Sequence, residues 1–163
     1  DTSFDEISVT FYGDTYSLYN LYRYAYYYEE AYGKYIWLKS GASLVIEHTE
    51  AMTVIDVNTG SVLKKKRQED TLFYQINREA AKEIARQIRL RNISGIIMID
   101  FINMKDEKQK EKLLLLLENE CRKDRIHCNV VDMTALNLVE MTRSKVRRPL
   151  LEQITVCRKM QKN

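Results

Sequence analysis

The sequence predicts an α/β domain, a mixed sheet with packed helices, and three observations carry that prediction. Short runs rich in β-branched and aromatic residues recur at residues 35–38, 44–46 and 52–57. Two stretches with helical spacing follow, one around Ala80 to Ile88 and one around Leu113 to Leu117. Further apolar runs, 95–101, 128–131 and 138–141, alternate with those helices.

Taken in order, residues 7–12 alternate around β-branched and aromatic side chains and read as a strand, closed by a turn at Gly13 and Asp14. Ser17 then caps a predicted helix to about Tyr32, with Leu18, Leu21, Ala25 and Tyr28 at helical spacing and Gly33 as its stop. The runs 35–38, 44–46 and 52–57, separated by Ser40-Gly41 and by residues 47–50, read as consecutive antiparallel strands. Residues 59–70 form a basic, apolar-poor loop carrying Lys64, Lys65, Lys66 and Arg67, either solvated or in contact with phosphate. Asn77 is the expected cap of a helix to about Arg91, with Ala80, Ala81, Ile84, Ala85 and Ile88 on one stripe and Lys82, Arg86 and Arg89 on another. The almost unbroken apolar run 95–101 fits a strand buried on both faces. A helix over 106–123 has Asp106 and Glu107 at its positive end and Arg122 and Lys123 at its negative end. This order places an α/β domain over residues 34–151, preceded by a separate piece, 1–33, and followed by a polar tail, 152–163.

Composition narrows the function classes. At 163 residues, 45% apolar and 30% charged with five Gly and one Pro, the chain is neither disordered nor collagen-like. Its densest apolar run, 113–117, is bounded by Lys112 and Glu118, far short of the roughly 18 apolar residues a membrane-spanning helix needs. Cys121, Cys128 and Cys157 show no Cys-x-x-Cys spacing and have only two histidines beside them, which argues against a disulfide framework or a zinc site within these residues. Thiols used as packing groups fit a reducing, cytoplasmic compartment. An opening Asp-Thr-Ser with neither Met nor a signal pattern reads as a fragment of a longer protein. Net charge is only +3, yet basic residues cluster at Lys64 to Arg67, at Arg86, Arg89 and Arg91, and at Arg143 to Arg148. Most of the eleven tyrosines fall between Tyr12 and Tyr28, where packing is the first expectation and base stacking the second.

Two carboxylates stand at the carboxyl ends of predicted strands: Asp56, after Thr53-Val54-Ile55, and Asp100, after Ile96-Ile97-Met98-Ile99. In open α/β sheets ligands gather beyond those ends, where a rigid scaffold holds side chains that face open space. A carboxylate pair with a nearby amide oxygen suits Mg²⁺, which takes oxygen ligands at about 2.0–2.1 Å and keeps waters in its other octahedral positions. Such a metal polarises a phosphodiester and activates a bound water. The competing reading makes each Asp the first residue of a loop, capping a turn. Spacing alone leaves both open. Neither Gly-x-Gly-x-x-Gly nor Gly-x-x-x-x-Gly-Lys occurs, and His48 and His127, beside no placed nucleophile, read as ordinary strand or surface histidines.

Three ordered stretches go further. Residues 40–60, containing Glu47-His48-Thr49-Glu50-Ala51-Met52 and Asp56-Val57-Asn58, residues 77–104, containing Arg89-Leu90-Arg91 and Asp100-Phe101-Ile102, and residues 138–143, Leu-Val-Glu-Met-Thr-Arg, closely resemble the ribonuclease E/G family. The resemblance runs from about residue 8 to about residue 149. It implies a metal-dependent endoribonuclease that cuts single-stranded, A/U-rich RNA and leaves a 5′-monophosphate and a 3′-hydroxyl. It also implies a deoxyribonuclease I-like catalytic subdomain over 34–151, with residues 1–33 closing a ribonuclease H-like subdomain. Asp56 and Asp100 match the family's two Mg²⁺-binding aspartates (Mn²⁺ can substitute), and Asn58 matches the asparagine that helps place the scissile phosphate. Arg91, with Arg89 and Arg86, is the leading candidate for RNA backbone contacts.

Departures from the pattern are Ala42 where the family has a second Gly, Asn137 where it has Gly, and His127 where relatives carry Arg or Lys at a position tied to sensing the RNA 5′-phosphate. Family members also carry an S1 RNA-binding module, a 5′-sensor and a Cys-Pro-x-Cys zinc link between protomers, none of which lies in these residues. Full-length relatives form homo-oligomers; a monomer is expected for this piece. A non-catalytic RNA-binding or assembly module that retains the fold is the alternative, and intact Asp56, Asn58 and Asp100 favour the enzyme.

Overall fold

The computed structural model of the chain describes residues 11–24, 31–60, 69–150 and 152. Six strands form one sheet: β1 (Tyr35–Trp37), β2 (Ser43–His48), β3 (Met52–Asn58), β4 (Gly95–Asp100), β5 (Cys128–Met133) and β6 (Leu138–Arg143), in the spatial order β1-β2-β3-β4-β6-β5. Among the described residues, helices α1 (Leu18–Leu21), α2 (Glu69–Leu90) and α3 (Glu107–Cys121) accompany them. β1, β2 and β3 make an antiparallel meander, as the runs separated by turn residues predict. β4 lies parallel to β3, and the long connection containing α2 is what that geometry requires. The mixed α/β architecture expected from the sequence is the one observed.

Burial is one-sided. Leu44, Ile46, Ile55, Val57, Ile97, Ile99, Val139 and Met141 alternate along their strands and form one core with Ala80, Ala81, Ile84, Ala85 and Ile88 of α2 and Leu113 and Leu117 of α3. The opposite face of the sheet is partly open, with Ile96 at 46% exposure and Asp100 exposed. β4 is therefore not buried on both faces: its apolar run is continuous, but only Ile97 and Ile99 face the helices. At its far end the sheet is tied by Arg143, which donates to Asp124 Oδ2 at 2.9 Å, Asn92 Oδ1 at 2.9 Å and the Ile93 carbonyl at 2.8 Å while only 4% exposed. Cys121 is buried in the core and Cys128 packs, partly buried, against it.

Two expectations change. α2 begins at Glu69, two turns before Asn77, because Leu72, Phe73 and Ile76 reach the core and extend the apolar stripe backwards. Asn77 is interior to the helix, not its cap. The helix expected after Ser17 does start there, with Ser17 Oγ accepting from the Tyr19 N–H at 3.2 Å, but it is interrupted after one turn at Arg23, whose φ is +52°; Tyr24, Ala31 and Tyr32 are again helical. Tyr16, Tyr19, Tyr22 and Tyr24 are more than half exposed, and the Tyr24 ring centroid lies 6.0 Å from those of Tyr19 and Tyr22, so these tyrosines do not pack into the core. α3 matches its expectation, with Asp106 as N-cap accepting from the Lys108 N–H at 2.9 Å. Residues 7–10 of the first predicted strand, the lysine cluster at 64–67 and the tail beyond 152 lie outside the described residues; Phe11 and Tyr12 are in no strand.

Candidate functional site

β3 and β4 run in the same direction, and their register sets Asp56 opposite Asp100. The two Cα atoms are thus one inter-strand spacing apart, roughly 4.8 Å. Because Ile55 and Ile99 point to the helices, the carboxylates project from the open face at its carboxyl-terminal end. Asn58, two residues along and on the same face, donates from Nδ2 to Asp56 Oδ2 at 2.7 Å. That bond orients one carboxylate and leaves its second oxygen available. Burial, and then the neighbouring charge of Asp56, push the Asp100 carboxyl above the usual carboxylate range. A bound cation relieves such like-charge crowding.

Helix α2 fixes the loops on both sides of the pair. Asn77, fully buried, accepts the Ile102 N–H at 3.0 Å and donates to the Ile102 carbonyl at 2.7 Å, clamping the segment that leaves Asp100. Phe101 and Met104 anchor the same segment in the core. Two residues along α2, Glu79 accepts the backbone N–H groups of Lys39 at 2.7 Å and Ser40 at 3.2 Å, which holds the β1–β2 turn. In that turn Gly41 has φ +88°, and Gly60, with φ +56°, passes so near that a Cβ there would meet the Gly41 carbonyl oxygen at 2.8 Å. The turn thus braces the chain just beyond Asn58. Gly41, not residue 42, carries the left-handed conformation, so the buried methyl of Ala42 leaves the turn intact.

On the other flank, Asn137 has φ +62° and precedes Leu138, the register partner of Asp100. Asparagine tolerates this conformation better than most residues in place of glycine. Its Oδ1 accepts from Lys110 Nζ at 2.9 Å, and Lys110 also pairs with Glu107 at 2.9 Å. Sequence reasoning singles out neither Glu79 nor Lys110 and gives Asn77 a different task. A polar residue of low helix propensity inside an apolar stripe was the available signal for Asn77.

The three arginines expected to hold RNA are not gathered at the carboxylates. Asn77 lies at the carboxylate end of α2; at 1.5 Å per residue Arg86 is about 13 Å further along the axis and Arg91 about 21 Å. Arg91 is 6% exposed, with Nε donating to Gln87 Oε1 at 2.7 Å. Arg89 donates to the Glu120 carbonyl at 3.0 Å, and Arg86 makes a forked pair with Glu83 at 2.8 and 3.0 Å. Arg86 and Arg89 are the more exposed of the three. His48 sits at the other end of β2, its Nδ1 2.9 Å from Thr53 Oγ1, and burial followed by the charge of Arg91 lowers its pKa.

Among the described residues no three His, Cys, Asp or Glu side chains converge as a metal cage. What the open face offers is a pair of carboxylates with an amide beside them, a sparse oxygen donor set that fits Mg²⁺ with its retained waters and does not fit the closed thiolate or imidazole shell of structural zinc.

Fold and site together define a mixed α/β protein with a carboxylate pair at the carboxyl ends of two parallel strands. The profile of the "Ribonuclease E/G family" matches residues 2–146, so the chain belongs to that family. It is 48% identical to Ribonuclease G of Escherichia coli over 113 residues, covering 69% of this chain and 23% of that protein. Against Ribonuclease G of Haemophilus influenzae it is 46% identical over 122 residues, 75% of this chain and 25% of the relative. Ribonuclease E of a Nostoc species is 42% identical over 115 residues, 71% of this chain and 17% of the relative. The chain therefore spans a quarter or less of the length of these relatives.

Proposed function

We propose that this chain is the catalytic portion of a Mg²⁺-dependent endoribonuclease that cuts single-stranded, A/U-rich RNA to leave 5′-phosphate and 3′-hydroxyl ends. The observation that carries the reading is the placement of Asp56 opposite Asp100, in a chain whose relatives are named ribonucleases. Residues 34–151 would be a deoxyribonuclease I-like subdomain, residues 1–33 the end of a ribonuclease H-like one, and 152–163 a tail. S1 and 5′-sensor modules elsewhere in the parent protein, and its homo-oligomer, would complete a cytoplasmic enzyme of RNA processing and decay.

In this reading Asp56 and Asp100 hold the metal ion. When bound, Mg²⁺ (or Mn²⁺) supplies a Lewis acid for the phosphodiester and a water of lowered pKa. Asn58 keeps the Asp56 carboxylate in one orientation and presents its remaining amide hydrogen toward the substrate side. Asn77 and Glu79 hold the two flanking loops in place, so that the carboxylates are set before RNA arrives and little reorganisation is needed. Arg86, Arg89 and Arg91 contribute positive charge along the RNA path.

The test is a gel assay with 5′-labelled, single-stranded A/U-rich RNA. Weak Mg²⁺-dependent cutting at most is expected of these residues alone, because RNA positioning supplies much of the rate and the chain spans only part of its relatives. Asp56→Asn or Asp100→Asn should lower that rate by about 100-fold or more, the scale of losing several kcal/mol of metal-derived stabilisation. RNA retained equally by all three chains, with no Mg²⁺-dependent cut that either substitution lowers even in the full-length protein, would overturn the enzyme reading in favour of a binding module.

A further inference from the structure

The open face of the sheet carries more than the carboxylates. Tracing the register across it, Trp37 of β1 lies opposite Ser43, which lies opposite Asn58. Tyr35 lies opposite Val45, then Asp56, then Asp100. Directly paired residues point to the same side of a sheet; Ile36 and Leu44, the neighbours of Trp37 and Ser43, face the core, while Ser43, itself 7% exposed, floors the row between Trp37 and Asn58. Trp37 is thus on the same face as the carboxylates, two inter-strand spacings, or about 10 Å, from Asn58. It sits on the edge strand and is 73% exposed.

A fully displayed indole needs a reason, since burying it contributes more than almost any other side chain. The groove that wraps the same edge supplies one. Trp37, Lys39, Lys82, Arg86 and Arg89 line it, together with Glu79, Glu83 and Glu120. Each of these carboxylates is already engaged: Glu79 by the Lys39 and Ser40 amides, Glu83 by Arg86, Glu120 by Lys123. No carboxylate among the described residues pairs with Lys39 or Lys82, and Arg89 donates to the Glu120 carbonyl at 3.0 Å, so the groove keeps a positive excess. An aromatic face beside a positive groove is how proteins grip single-stranded nucleic acid without reading its sequence.

Resting on the ribonuclease reading, we propose that Trp37 is a base-stacking platform for a nucleotide neighbouring the scissile linkage. The groove of Lys39, Lys82, Arg86 and Arg89 holds the adjoining phosphates. The strand then crosses the row Trp37, Ser43, Asn58 to reach Asp56 and Asp100. This gives Arg86 and Arg89 a role at the β1 edge, away from the metal pair.

Trp37 is the only tryptophan, so its fluorescence reports on the platform directly. The chain is titrated with a single-stranded uridine-rich oligoribonucleotide in EDTA, which prevents cutting, and total binding is followed in parallel with labelled RNA. Quenching of Trp37 and its protection from acrylamide are expected, with the same midpoint as binding. Trp37→Ala should weaken binding roughly ten-fold, within the range for one lost stack, and Trp37→Phe should restore most of it. RNA bound with no change at Trp37 and no loss in Trp37→Ala would overturn the platform and leave the ribonuclease reading standing. No RNA binding by the parent chain would overturn both. Concentration-dependent protection of Trp37 without RNA, together with a dimer in sedimentation that Trp37→Ala dissolves, would assign the edge to a second copy of the chain and overturn the proposal.

Discussion

Asp100 is held at a cost that its removal should reveal. Its carboxyl is partly desolvated and faces Asp56 across one strand spacing, so its folded pKa lies above the usual value. An acid with a raised folded pKa binds more protons folded than unfolded; its contribution to stability falls as pH rises from about 3.9 through the shifted value. Asp100→Asn removes that cost. In EDTA at neutral pH the variant should melt above the parent, with a flatter dependence on pH through the weakly acidic range, and a lower melting temperature would contradict the account. Asn77 makes the opposite case. Asn77→Ala leaves the Ile102 N–H and carbonyl without their side-chain partners and should cost about 1–3 kcal/mol in urea unfolding. It should also weaken metal binding, because the segment leaving Asp100 loses its clamp. Asp56 and Asp100 were legible in the sequence because an acid after an apolar strand is a local pattern. The clamp was not, since its two partners are 25 residues apart and only the folded chain joins them.

Between elements, the connections carry the strain and the charge. Gly60 adopts φ +56° against the Gly41 carbonyl, where a Cβ would meet oxygen at 2.8 Å. Gly60→Ala should therefore destabilise by about 1–2 kcal/mol for the left-handed backbone alone, with the clash added, as read by chemical denaturation. At the opposite end Asp124 and Arg143 form a buried pair at 2.9 Å, with side chains 9% and 2% exposed. Burial raises the Asp124 pKa, but the hydrogen bonds from Arg143 and the Ile126 N–H and the charges of Arg143 and Arg89 outweigh it, and the net shift is downward. Its stabilisation is thus present above the ordinary carboxylate pKa and is lost as pH falls through the depressed folded value. Asp124→Ala should cost about 3–5 kcal/mol at neutral pH by leaving Arg143 buried without its counter-charge. The same scale shows where sequence reading stops. An apolar run such as 95–100 reads alike whether one face or two are buried, and only the pairing of β4 with β3 and β6 decides. α2 was read short because Asn77 resembles a cap, whereas Leu72, Phe73 and Ile76 earn their helical place from the sheet beneath them.

Across the whole molecule, one face of the sheet is core and the other, partly open, carries Asp56, Asp100 and Trp37. Composition and alternation were enough to give the α/β class, and three long motifs were enough to place the family. The direction of Trp37 was not legible, because a three-residue edge strand has no periodicity to read; its facing follows from pairing across three strands. The chain spans a quarter or less of the length of these relatives, and the feature it can test by itself is the metal pair. A Mn²⁺ titration followed by electron paramagnetic resonance, on the chain and on Asp100→Asn, tests it. One saturable Mn²⁺ per chain, displaced by Mg²⁺ and lost in Asp100→Asn, is the predicted result. Binding that survives in Asp100→Asn unchanged, or its absence from both chains, would contradict the account.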